Sequence, residues 1–436
     1  MKVLGVVVEY NPFHNGHLYH LTEAKSICDA DFTVAVMSGN FTQRGEPAIV
    51  DKFARTEIAL RCGVDLVLEL PCVYAVQDAG GFAFGAISSL AATRVVTDIA
   101  FGSESADLEA LEKIASILVE QPPSYLRFLH EELKKGHSFP NARRIALMRY
   151  VAYEKLFDPS TLKITKRSND ILGLEYIVNA KKLGLKTTFH VIKRIGSDYR
   201  DENFKGTFSS ASAIRRKIKE GDFESAKKAL PDESYSIIMR EMDAGRGPVF
   251  YEDMEKLILG TFRTMTRDEL NEFAGFNEGL DQRFVYYAVR SGTVQEFLES
   301  VKAKRFTFSR LRRLSVYPIL KMRKKLVEES NEKGPQYLRV LGFNEKGRQL
   351  LQLIKRLAPI PIVTNASNYL NISKKATKKE RYEHFEPDLF KDQFELDIRA
   401  TNVHSIFFTN SEERSYERDM RLGPVIIVSK PWNRHN

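Results

Sequence analysis

MKVLGVVVEYNPFHNGHLYH, residues 1–20, is the stretch that decides the fold. Residues 3–8 are apolar and mostly β-branched, which predicts a strand buried on both faces of a parallel sheet. Asn11-Pro12 interrupts the run, and a helical pattern follows from about residue 16 to residue 27. A strand, a tight turn and a helix N-terminus together form an anion site, because unpaired backbone N–H groups and the positive end of the helix dipole converge there.

Two histidines in this turn, His14 and His17, are the candidate catalytic residues. They are three positions apart, so in a first helical turn they project from one side, and Gly16 between them lets a ligand approach the backbone. Imidazoles at an anion site can donate hydrogen bonds to phosphate oxygens as charge builds on them. A histidine pair packed beside a turn is the alternative, but the position between strand and helix favours the phosphate site. The His-x-Gly-His pattern resembles the signature of nucleotidyltransferases, which attack the α-phosphate of ATP.

Length and composition indicate a soluble protein of two domains, with three a further possibility, because 436 residues exceed one ordinary core. No apolar stretch approaches the ~20 residues that a membrane span needs. The first residues lack a signal-peptide cleavage pattern. Cys28, Cys62 and Cys72 form no CxxC pair, which favours a reducing cytoplasm and argues against a structural zinc site. We therefore expect a cytoplasmic protein with no membrane or DNA partner.

The net charge of +9 is concentrated in residues 302–356, where sixteen Lys or Arg face four Glu and no Asp. This segment carries +12, so the remainder of the chain sums to −3. Such a concentration suggests a polyanionic partner, most plausibly nucleic acid. A solvated, salt-bridged helix surface is the alternative, and the charge alone does not decide between them.

The first half of the chain alternates strands and helices, which predicts a Rossmann-like parallel sheet. After residues 3–8, strand patterns occupy residues 32–37, 64–70, 95–101 and 185–192. Ligands of such sheets bind beyond the carboxyl ends of the strands, where residues 10–11, 38–40 and 102–104 would meet. The pattern of residues 222–330 predicts a series of amphipathic helices. Residues 334–355 suggest a short turn or helix, then a Gly-containing loop and then a helix, and residues 359–363 suggest one short strand. We expect an α/β domain at 1–222 and a mainly helical, basic, RNA-binding domain at 223–436.

A second phosphate site is predicted in residues 208–216, FSSASAIRR. Ser209, Ser210 and Ser212 are good N-cap residues. Arg215 falls within the first turns of the following helix and can bridge phosphate oxygens with two N–H groups. A Ser-rich cap followed by Ile-Arg resembles the second signature of the same superfamily, and here it follows the fifth predicted strand.

A dense basic face at residues 306–327, with Lys304 and Arg305 just before it, supplies the candidate RNA contacts. These are Lys304, Arg305, Arg310, Arg312, Arg313, Lys321, Arg323, Lys324 and Lys325. Phe308 and Tyr317 lie among them and could stack on unpaired bases, although ordinary core packing is the favoured alternative for these rings. Residues 371–381, NISKKATKKER, form a second basic cluster.

Motifs spread over nearly the whole chain resemble the bacterial tRNA(Met) cytidine acetate ligases. They are VEYNPFHNGH at 8–17, MSGNFTQRGEP at 37–47, GVDLVLELP at 63–71, FGSE at 101–104, ILGLEY at 171–176 and KRFT at 304–307. Ser168-Asn169 departs from the family's Pro-Asn, but the Asn is kept. The resemblance implies that ATP and acetate form acetyl-adenylate and pyrophosphate. The acetyl group then passes to N4 of the wobble cytidine of elongator tRNA(Met), giving N4-acetylcytidine and AMP.

The resemblance also implies which residues bind ATP. They are Val7, Val8, Glu9, Tyr10, Asn11, Pro12, Phe13, His14, Asn15, Gly16, His17, Leu18, Tyr19, His20, Gly102, Asn169 and Arg194, to which we add Ile195, Ser210, Ser212 and Arg215. His14 and His17 would stabilise the α-phosphate in the transition state, and Arg194 and Arg215 would hold the triphosphate. Gly102 would leave room for the adenine or ribose, and Asn169 would hydrogen-bond one of them.

The second substrates are assigned to the segment after the second strand. Ser38, Gly39, Asn40, Gln43 and Arg44 are candidates for the acetate pocket or the incoming cytidine, with a plain surface loop as the alternative. Lys52 and Arg55 follow closely and could serve the phosphates. No carboxylate cluster suggests a metal held by the protein, so Mg²⁺ is expected to arrive with ATP.

Two other functions are compatible with parts of the sequence. An adenylyltransferase acting on a small phosphorylated cofactor precursor would need little beyond the α/β domain, which leaves the +12 segment unexplained. A non-catalytic RNA-binding protein with a relic nucleotide site is opposed by the presence of both histidines, the Ser-rich cap and Arg215. A class I aminoacyl-tRNA synthetase would need a Lys-Met-Ser-Lys-Ser partner motif, which the sequence lacks.

Overall fold

One eight-stranded sheet crosses the computed structural model, which describes residues 1–195, 204, 206–414 and 417–428. The strands are β1 Val3–Val8, β2 Phe32–Ser38, β3 Leu66–Leu70, β4 Asp98–Ser103, β5 Thr188–Lys193, β6 Leu338–Asn344, β7 Ile362–Val363 and β8 Val425–Ile427. They lie in the order β5-β4-β1-β2-β3-β6-β7, with β8 paired to β6. The first five strands are parallel, as their alternation with helices predicted, and β6 is antiparallel to β3.

Helices cover both faces of the sheet and form most of the remaining chain. They are α1 Asn15–Cys28, α2 Lys52–Arg61, α3 Cys72–Ala75, α4 Ala79–Ala92, α5 Leu108–Glu120, α6 Pro123–Lys134, α7 Phe139–Glu154, α8 Ser168–Lys182, α9 Ala211–Lys219, α10 Phe223–Lys228, α11 Asp232–Asp243, α12 Glu255–Thr264, α13 Arg267–Asn271, α14 Leu280–Ala288, α15 Val294–Val301, α16 Phe308–Leu320, α17 Lys324–Lys333, α18 Glu345–Leu357, α19 Tyr369–Ala376, α20 Pro387–Ser405, α21 Ser411–Arg414 and α22 Arg418–Arg421. Short 3-10 turns occupy Pro159–Lys166, Gly206–Phe208, Tyr251–Met254 and Ala366–Asn368. Within the described ranges, no helix is long and apolar enough to cross a bilayer.

The strand order reverses at β1, which places the ligand crevice. β2 and β3 follow on one side of β1, whereas β4 and β5 lie on its other side. The connections therefore diverge above the carboxyl ends of β1 and β4, and this divergence opens a crevice at the edge where doubly wound sheets bind ligands. The turn that holds His14 and His17 leaves β1 at this point.

The structure corrects the interpretation of residues 334–355 as a turn and a loop before a helix. Leu338–Asn344 is a strand whose first five residues are buried, and α18 follows it directly. Gly342 suggested a loop, but a Cβ at this position would lie 2.6 Å from the Val425 carbonyl oxygen and 2.7 Å from the Thr56 methyl group. The glycine is therefore needed where β8 and α2 press against the strand. Because β6 to β8 join the sheet, the sheet is not confined to residues 1–222.

A buried charge cluster, Lys52, Glu69, Arg339 and Asp419, fastens these later strands to the first half of the chain. Lys52 Nζ lies 2.8 Å from Glu69 Oε1 and 2.9 Å from Asp419 Oδ1. Arg339 contacts the same two acids, at 3.1 Å and 2.6 Å. Burial, followed by repulsion from Glu69, raises the pKa of the adjacent Asp397 to about 8. The raised pKa favours the neutral form of Asp397, while within the cluster itself two cations face two anions.

Candidate nucleotide-binding site

His14 caps helix α1 and also orients its own ring. Its Nδ1 accepts a hydrogen bond from the Gly16 N–H at 3.1 Å, and His17 Nδ1 accepts one from the His14 N–H at 3.3 Å. The hydrogen bond from Gly16 therefore places the proton of neutral His14 on Nε2. The His17 ring is in addition hydrogen-bonded to the Pro12 backbone. The two rings stack with centroids 3.6 Å apart, so the prediction that they project from one side is confirmed.

Gly16 has a role that the sequence did not reveal. A Cβ at this position would lie 2.9 Å from Cε1 of the His14 ring. Contacts this short are repulsive, so a side chain here would push the ring away from the helix cap. The absent side chain makes room for His14, in addition to any room that it makes for a ligand.

Three histidines at the site are neutral at pH 7. Burial, with the positive charges of Arg194 and Arg215, lowers the pKa of His14 to about 3. Burial and Arg194 lower the pKa of His20 to about 4, while burial, His14 and Arg194 hold the pKa of His17 well below its usual range. These rings can donate from a neutral N–H to phosphate oxygens without first taking up a proton.

The buried histidines predict a loss of stability in acid. His14, His20 and His404 have folded pKa values of about 3, 4 and 4, below their value of about 6.5 in the unfolded chain. Their contribution is intact above pH 6.5 and is lost as pH falls toward 4, because the unfolded chain binds the protons that the folded chain excludes. Each group costs about 1.4 kcal/mol per pH unit in that interval. Thermal denaturation at pH 7, 6 and 5 measures this slope.

A matched pair of variants isolates one of these groups. His404→Asn should flatten the slope by the share of one group, since His404 is completely buried and lies away from the cavity. His384→Asn, at an exposed position, should leave the slope unchanged. Equal slopes in the two variants would contradict the assignment.

Arg194 and Gly102 form the floor of the crevice beside β4. The Arg194 N–H donates to the Ser103 carbonyl at 3.0 Å, which continues the pairing of β5 with β4. A Cβ at Gly102 would lie 3.4 Å from Arg194 Cγ and 3.7 Å from His20 Cδ2. Gly102 therefore borders the side chains that approach the phosphate region.

Glu104 holds the N-terminus of α8 beside this floor. Its carboxylate accepts hydrogen bonds from the Asn169 side-chain amide at 2.6 Å and from the Asp170 N–H at 3.1 Å. Asp170 in turn hydrogen-bonds the Ser103 hydroxyl. Asn169 Nδ2 is thus engaged with protein, which leaves its carbonyl oxygen as the group for a ligand.

The Ser-rich segment forms the opposite wall. Ser210 caps α9, its hydroxyl accepting from the Ala213 N–H at 3.1 Å, which confirms the predicted N-cap. Arg215 donates to the Asn11 carbonyl at 2.8 Å and forms an ion pair with Glu46 at 3.1 Å. Glu46 also pairs with Arg312 of α16. Arg215 thus joins the histidine turn to α9, and its charge is already partly neutralised.

These elements enclose one cavity, hereafter the main cavity. The predicted residues that line it are Val7, Val8, Glu9, Tyr10, Asn11, His14, Gly16, His17, Tyr19, His20, Gln43, Arg44, Gly102, Asn169, Arg194, Ile195, Ser210, Ser212 and Arg215. Pro12, Phe13, Asn15 and Leu18 are outside this lining. Phe13 is fully buried in the core, and the Asn15 amide donates to the Thr207 and Lys228 carbonyls.

Several lining residues were missed from the sequence. They are Thr42, Glu46, Phe82, Phe101, Leu172, Tyr176, Ile192 and Lys193. Phe208, Ser209 and Ala211 also line the cavity, and they belong to the segment predicted as a second phosphate site. Thr42 and Glu46 belong to the same motif as Gln43 and Arg44, so their neighbours were a usable signal. The aromatic residues had none, because a ring on a cavity wall and a ring in the core follow the same periodicity.

Three of the five acetate or cytidine candidates lie behind the cavity wall. Ser38 is fully buried and donates to Glu9 Oε1 at 3.3 Å. Asn40 accepts from the Lys52 N–H at 2.7 Å, and the Gly39 carbonyl accepts from Arg55. Direct contact of Ser38, Gly39 or Asn40 with a substrate is not supported by this placement, and their role is to position the segment that carries Gln43 and Arg44.

The suggestion that Lys52 and Arg55 serve phosphates is wrong. Both side chains are completely buried, and neither is among the described residues that line the main cavity. Lys52 belongs to the buried charge cluster. Arg55 donates to the carbonyls of Glu9 at 2.7 Å and Ser38 at 3.0 Å, and so ties the ends of β1 and β2 together.

The residues of the basic face differ in their exposure and in whether they form ion pairs. Lys304, Arg305, Lys321, Arg323, Lys324 and Lys325 are exposed. Glu278, Glu272, Glu328 and Glu329 form ion pairs with Arg310, Arg323, Lys324 and Lys325, as a salt-bridged surface would. Arg313 is buried, and Tyr317 is a core residue whose hydroxyl donates to the Val76 carbonyl at 2.7 Å. Only Phe308 remains exposed of the two candidate stacking rings.

One group in the described part of the chain has the composition of a metal site. Cys28, Asp98 and His190 place their ligand atoms within 4.8 Å of one another. His190 Nε2 and Asp98 Oδ1 already hydrogen-bond each other at 2.7 Å. Asp98 begins β4, so the group lies at the amino ends of the strands, away from the main cavity.

A parallel sheet that ends in a stacked His-x-Gly-His cap, with arginines and a second helix N-terminus around one cavity, defines a nucleotidyltransferase. Comparison with known families agrees, because residues 1–419 match the HIGH Nucleotidyl Transferase family.

Relatives narrow the class further. The tRNA(Met) cytidine acetate ligase of Thermotoga maritima is 54% identical over 96% of this chain and 99% of its own length. That of Fervidobacterium nodosum is 52% identical over 98% of this chain and all of its own. A crystal structure of Thermotoga maritima TmcAL bound with alpha-thio ATP superposes with a TM-score of 0.94 at 53% identity, covering 98% of this chain and 100% of that one. The chain belongs to the tRNA(Met) cytidine acetate ligase family.

Proposed function

We propose that the protein is an ATP-dependent ligase that acetylates N4 of the wobble cytidine of elongator tRNA(Met). An acetate oxygen attacks the α-phosphorus of ATP and pyrophosphate leaves. The N4 amine then attacks the acetyl carbonyl and AMP leaves. The observation that carries the proposal is the stacked His14–His17 pair, with both Nδ1 atoms used by the helix cap, at the cavity wall. The family's names and the ATP analogue in the Thermotoga maritima structure support it.

The nucleotide occupies the crevice between β1, β4 and the N-terminus of α9. His14 and His17 stabilise the charge that develops on the α-phosphate, which is where preorganised donors have their largest effect. Arg194, whose positive charge lowers the pKa of all three histidines, is assigned to the triphosphate together with Arg215. Gly102 and Asn169 border the nucleoside, and Mg²⁺ arrives with ATP, keeping several waters.

Acetate and the cytidine enter from the side of β2. Gln43 and Arg44 line the main cavity there, and the Arg44 guanidinium has the geometry to pair with a carboxylate. Phe82, Phe101, Leu172 and Tyr176 supply apolar wall, which suits an acetyl group held away from water.

Lys324 and Lys325 of α17 and Lys321, which precedes this helix, are exposed, and they are proposed to bind the tRNA backbone. We expect the triple variant Lys321→Gln, Lys324→Gln and Lys325→Gln to weaken tRNA binding and to reduce the slope of log Kd against log salt, because fewer counterions are released. Acetate-dependent ATP–pyrophosphate exchange should be retained. Filter binding at several salt concentrations measures the slope.

A matched control removes the same charge elsewhere. Lys181, Lys182 and Lys186 are exposed near the amino end of β5, at the opposite edge from the cavity. Their replacement by Gln should leave the salt slope near that of the wild type. An equal loss in both triple variants would indicate only a general effect of net charge.

The decisive experiment is mass spectrometry of elongator tRNA(Met) after incubation with the protein, ATP and isotopically labelled acetate. A labelled acetyl group on the wobble cytidine, with AMP and pyrophosphate, supports the ligase. Stable adenylylation of a phosphorylated small molecule would support the adenylyltransferase alternative. Absence of any ATP–pyrophosphate exchange would support the relic-site alternative.

A further inference from the structure

Among the residues that the structure describes, two acidic side chains, Glu9 and Glu46, line the main cavity, and they differ in their partners. Glu46 is neutralised by ion pairs with Arg215 and Arg312. The described residues give Glu9 two hydrogen bonds and no ion pair, one from the Gln43 N–H at 2.6 Å and one from the Ser38 hydroxyl at 3.3 Å. Glu9 is therefore the lining acid whose charge the protein leaves uncompensated by a direct cation contact.

Both hydrogen bonds go to the same oxygen of Glu9. Oε1 accepts from Gln43 and from Ser38, and so the carboxyl group is fixed at one end. Oε2 receives no hydrogen bond from the described residues and is the atom that a ligand in the cavity can approach. Arg55 fixes the supporting backbone, because it donates to the carbonyls of Glu9 and Ser38 at once.

The second half of the proposed reaction needs a group of this kind. The exocyclic amine of cytidine is conjugated with its ring, so it is a weak nucleophile and must lose a proton as it attacks. Neutral His14 uses its Nδ1 as an acceptor for the Gly16 N–H, so its remaining Nε2–H is a donor and cannot take the proton. A carboxylate oxygen is also the acceptor that suits the N4–H of cytosine.

We propose that Glu9 is the general base that accepts the N4 proton of the wobble cytidine, an inference that rests on the proposed acetyl transfer. The N4 nitrogen forms a bond to the acetyl carbon, the bond from that carbon to the AMP phosphate oxygen breaks with its electron pair leaving on AMP, and Glu9 Oε2 takes the proton. The proton then passes to solvent. The role differs from ATP binding, to which the resemblance of residues 7–20 assigns Glu9.

The charged surroundings of Glu9 are consistent with a base of useful strength. Burial raises the pKa of Glu9, and Glu46 adds to the rise. The Gln43 N–H and the positive charges of Arg44 and Arg55 act in the opposite direction. A carboxylate with a raised pKa holds a transferred proton better, and this favours general base catalysis near neutral pH.

The test compares two rates in the full-length Glu9→Gln variant. Exchange of labelled pyrophosphate into ATP in the presence of acetate reports adenylate formation, and single-turnover transfer of labelled acetate to tRNA(Met) reports the second step. We expect transfer to fall by about 10²-fold or more beyond any fall in exchange. The acidic limb in the pH profile of the wild-type transfer rate should also disappear. Gln keeps the acceptor for Gln43 and Ser38, so the variant retains the local fold.

Each other outcome overturns the assignment. Equal losses in exchange and transfer, with a raised KM for ATP, would show that Glu9 holds the nucleotide. Unchanged transfer, or an acidic limb that persists in the variant, would show that another group takes the proton. Glu109→Gln, at an exposed position on α5, is the matched control and should leave both rates unchanged. A wild-type protein that exchanges pyrophosphate but never acetylates tRNA would refute the proposed function instead.

Discussion

Replacing His14 by Asn should abolish most adenylate formation while leaving the protein stable. The Asn side chain can still accept the Gly16 N–H and cap α1, as His14 Nδ1 does. It lacks the Nε2–H that His14 directs away from the cap. Removing one preorganised donor to a developing anion typically costs about 10²- to 10³-fold in rate, and acetate-dependent ATP–pyrophosphate exchange measures it.

His14→Ala separates the cap from the chemistry. This variant loses the same donor and the cap as well, so its rate should match that of His14→Asn while its unfolding free energy falls by about a further 1 kcal/mol. RNA binding should persist in both variants. Exchange at the wild-type rate in His14→Asn, with the thermal midpoint preserved, would refute the catalytic role of the ring.

The sequence predicts the edge of the sheet at the carboxyl ends of the strands, where the proposed phosphate site lies, because several local signals agree there. The strand pattern at residues 3–8 and the later strand patterns alternate with helical patterns, which predicts parallel strands joined by right-handed crossovers. Ser210 could be identified as a helix cap from residue type and position alone. The structure has this cap, whereas the cap that His14 provides for α1 was not anticipated.

The contacts that depend on the whole fold could not be predicted. Lys52 looks like an exposed residue at a helix start, and only β6 and the segment around Asp419 reveal that it is buried. Gly342 looks like a loop residue until β8 is placed against it. Glu46 pairs with Arg215 and Arg312, which follow it in the sequence by 169 and 266 positions. No local sequence pattern carries information over such distances.

Replacing Lys52 by Met should destabilise the protein more than any other single change considered above. Met fills a similar volume but leaves Glu69 and Asp419 sharing the single cation Arg339 in a fully buried environment. Breaking a buried ion network by removing one partner typically costs about 3–5 kcal/mol, because the remaining charge is neither solvated nor paired. Urea denaturation measures the loss, and limited proteolysis should show earlier cleavage near residues 417–428.

Two variants distinguish charge imbalance from lost packing. Lys113→Met removes a lysine from an exposed pair with Glu109, and the stability should remain close to that of the wild type because solvent screens such a pair. In the double variant Lys52→Met, Glu69→Gln, one cation and one anion are removed together, so Arg339 and Asp419 again balance. The double variant should therefore be more stable than Lys52→Met alone, a positive coupling that independent sites would not show. If the second substitution only added to the loss, packing around Lys52 rather than its charge would hold β6 and α22 to the sheet.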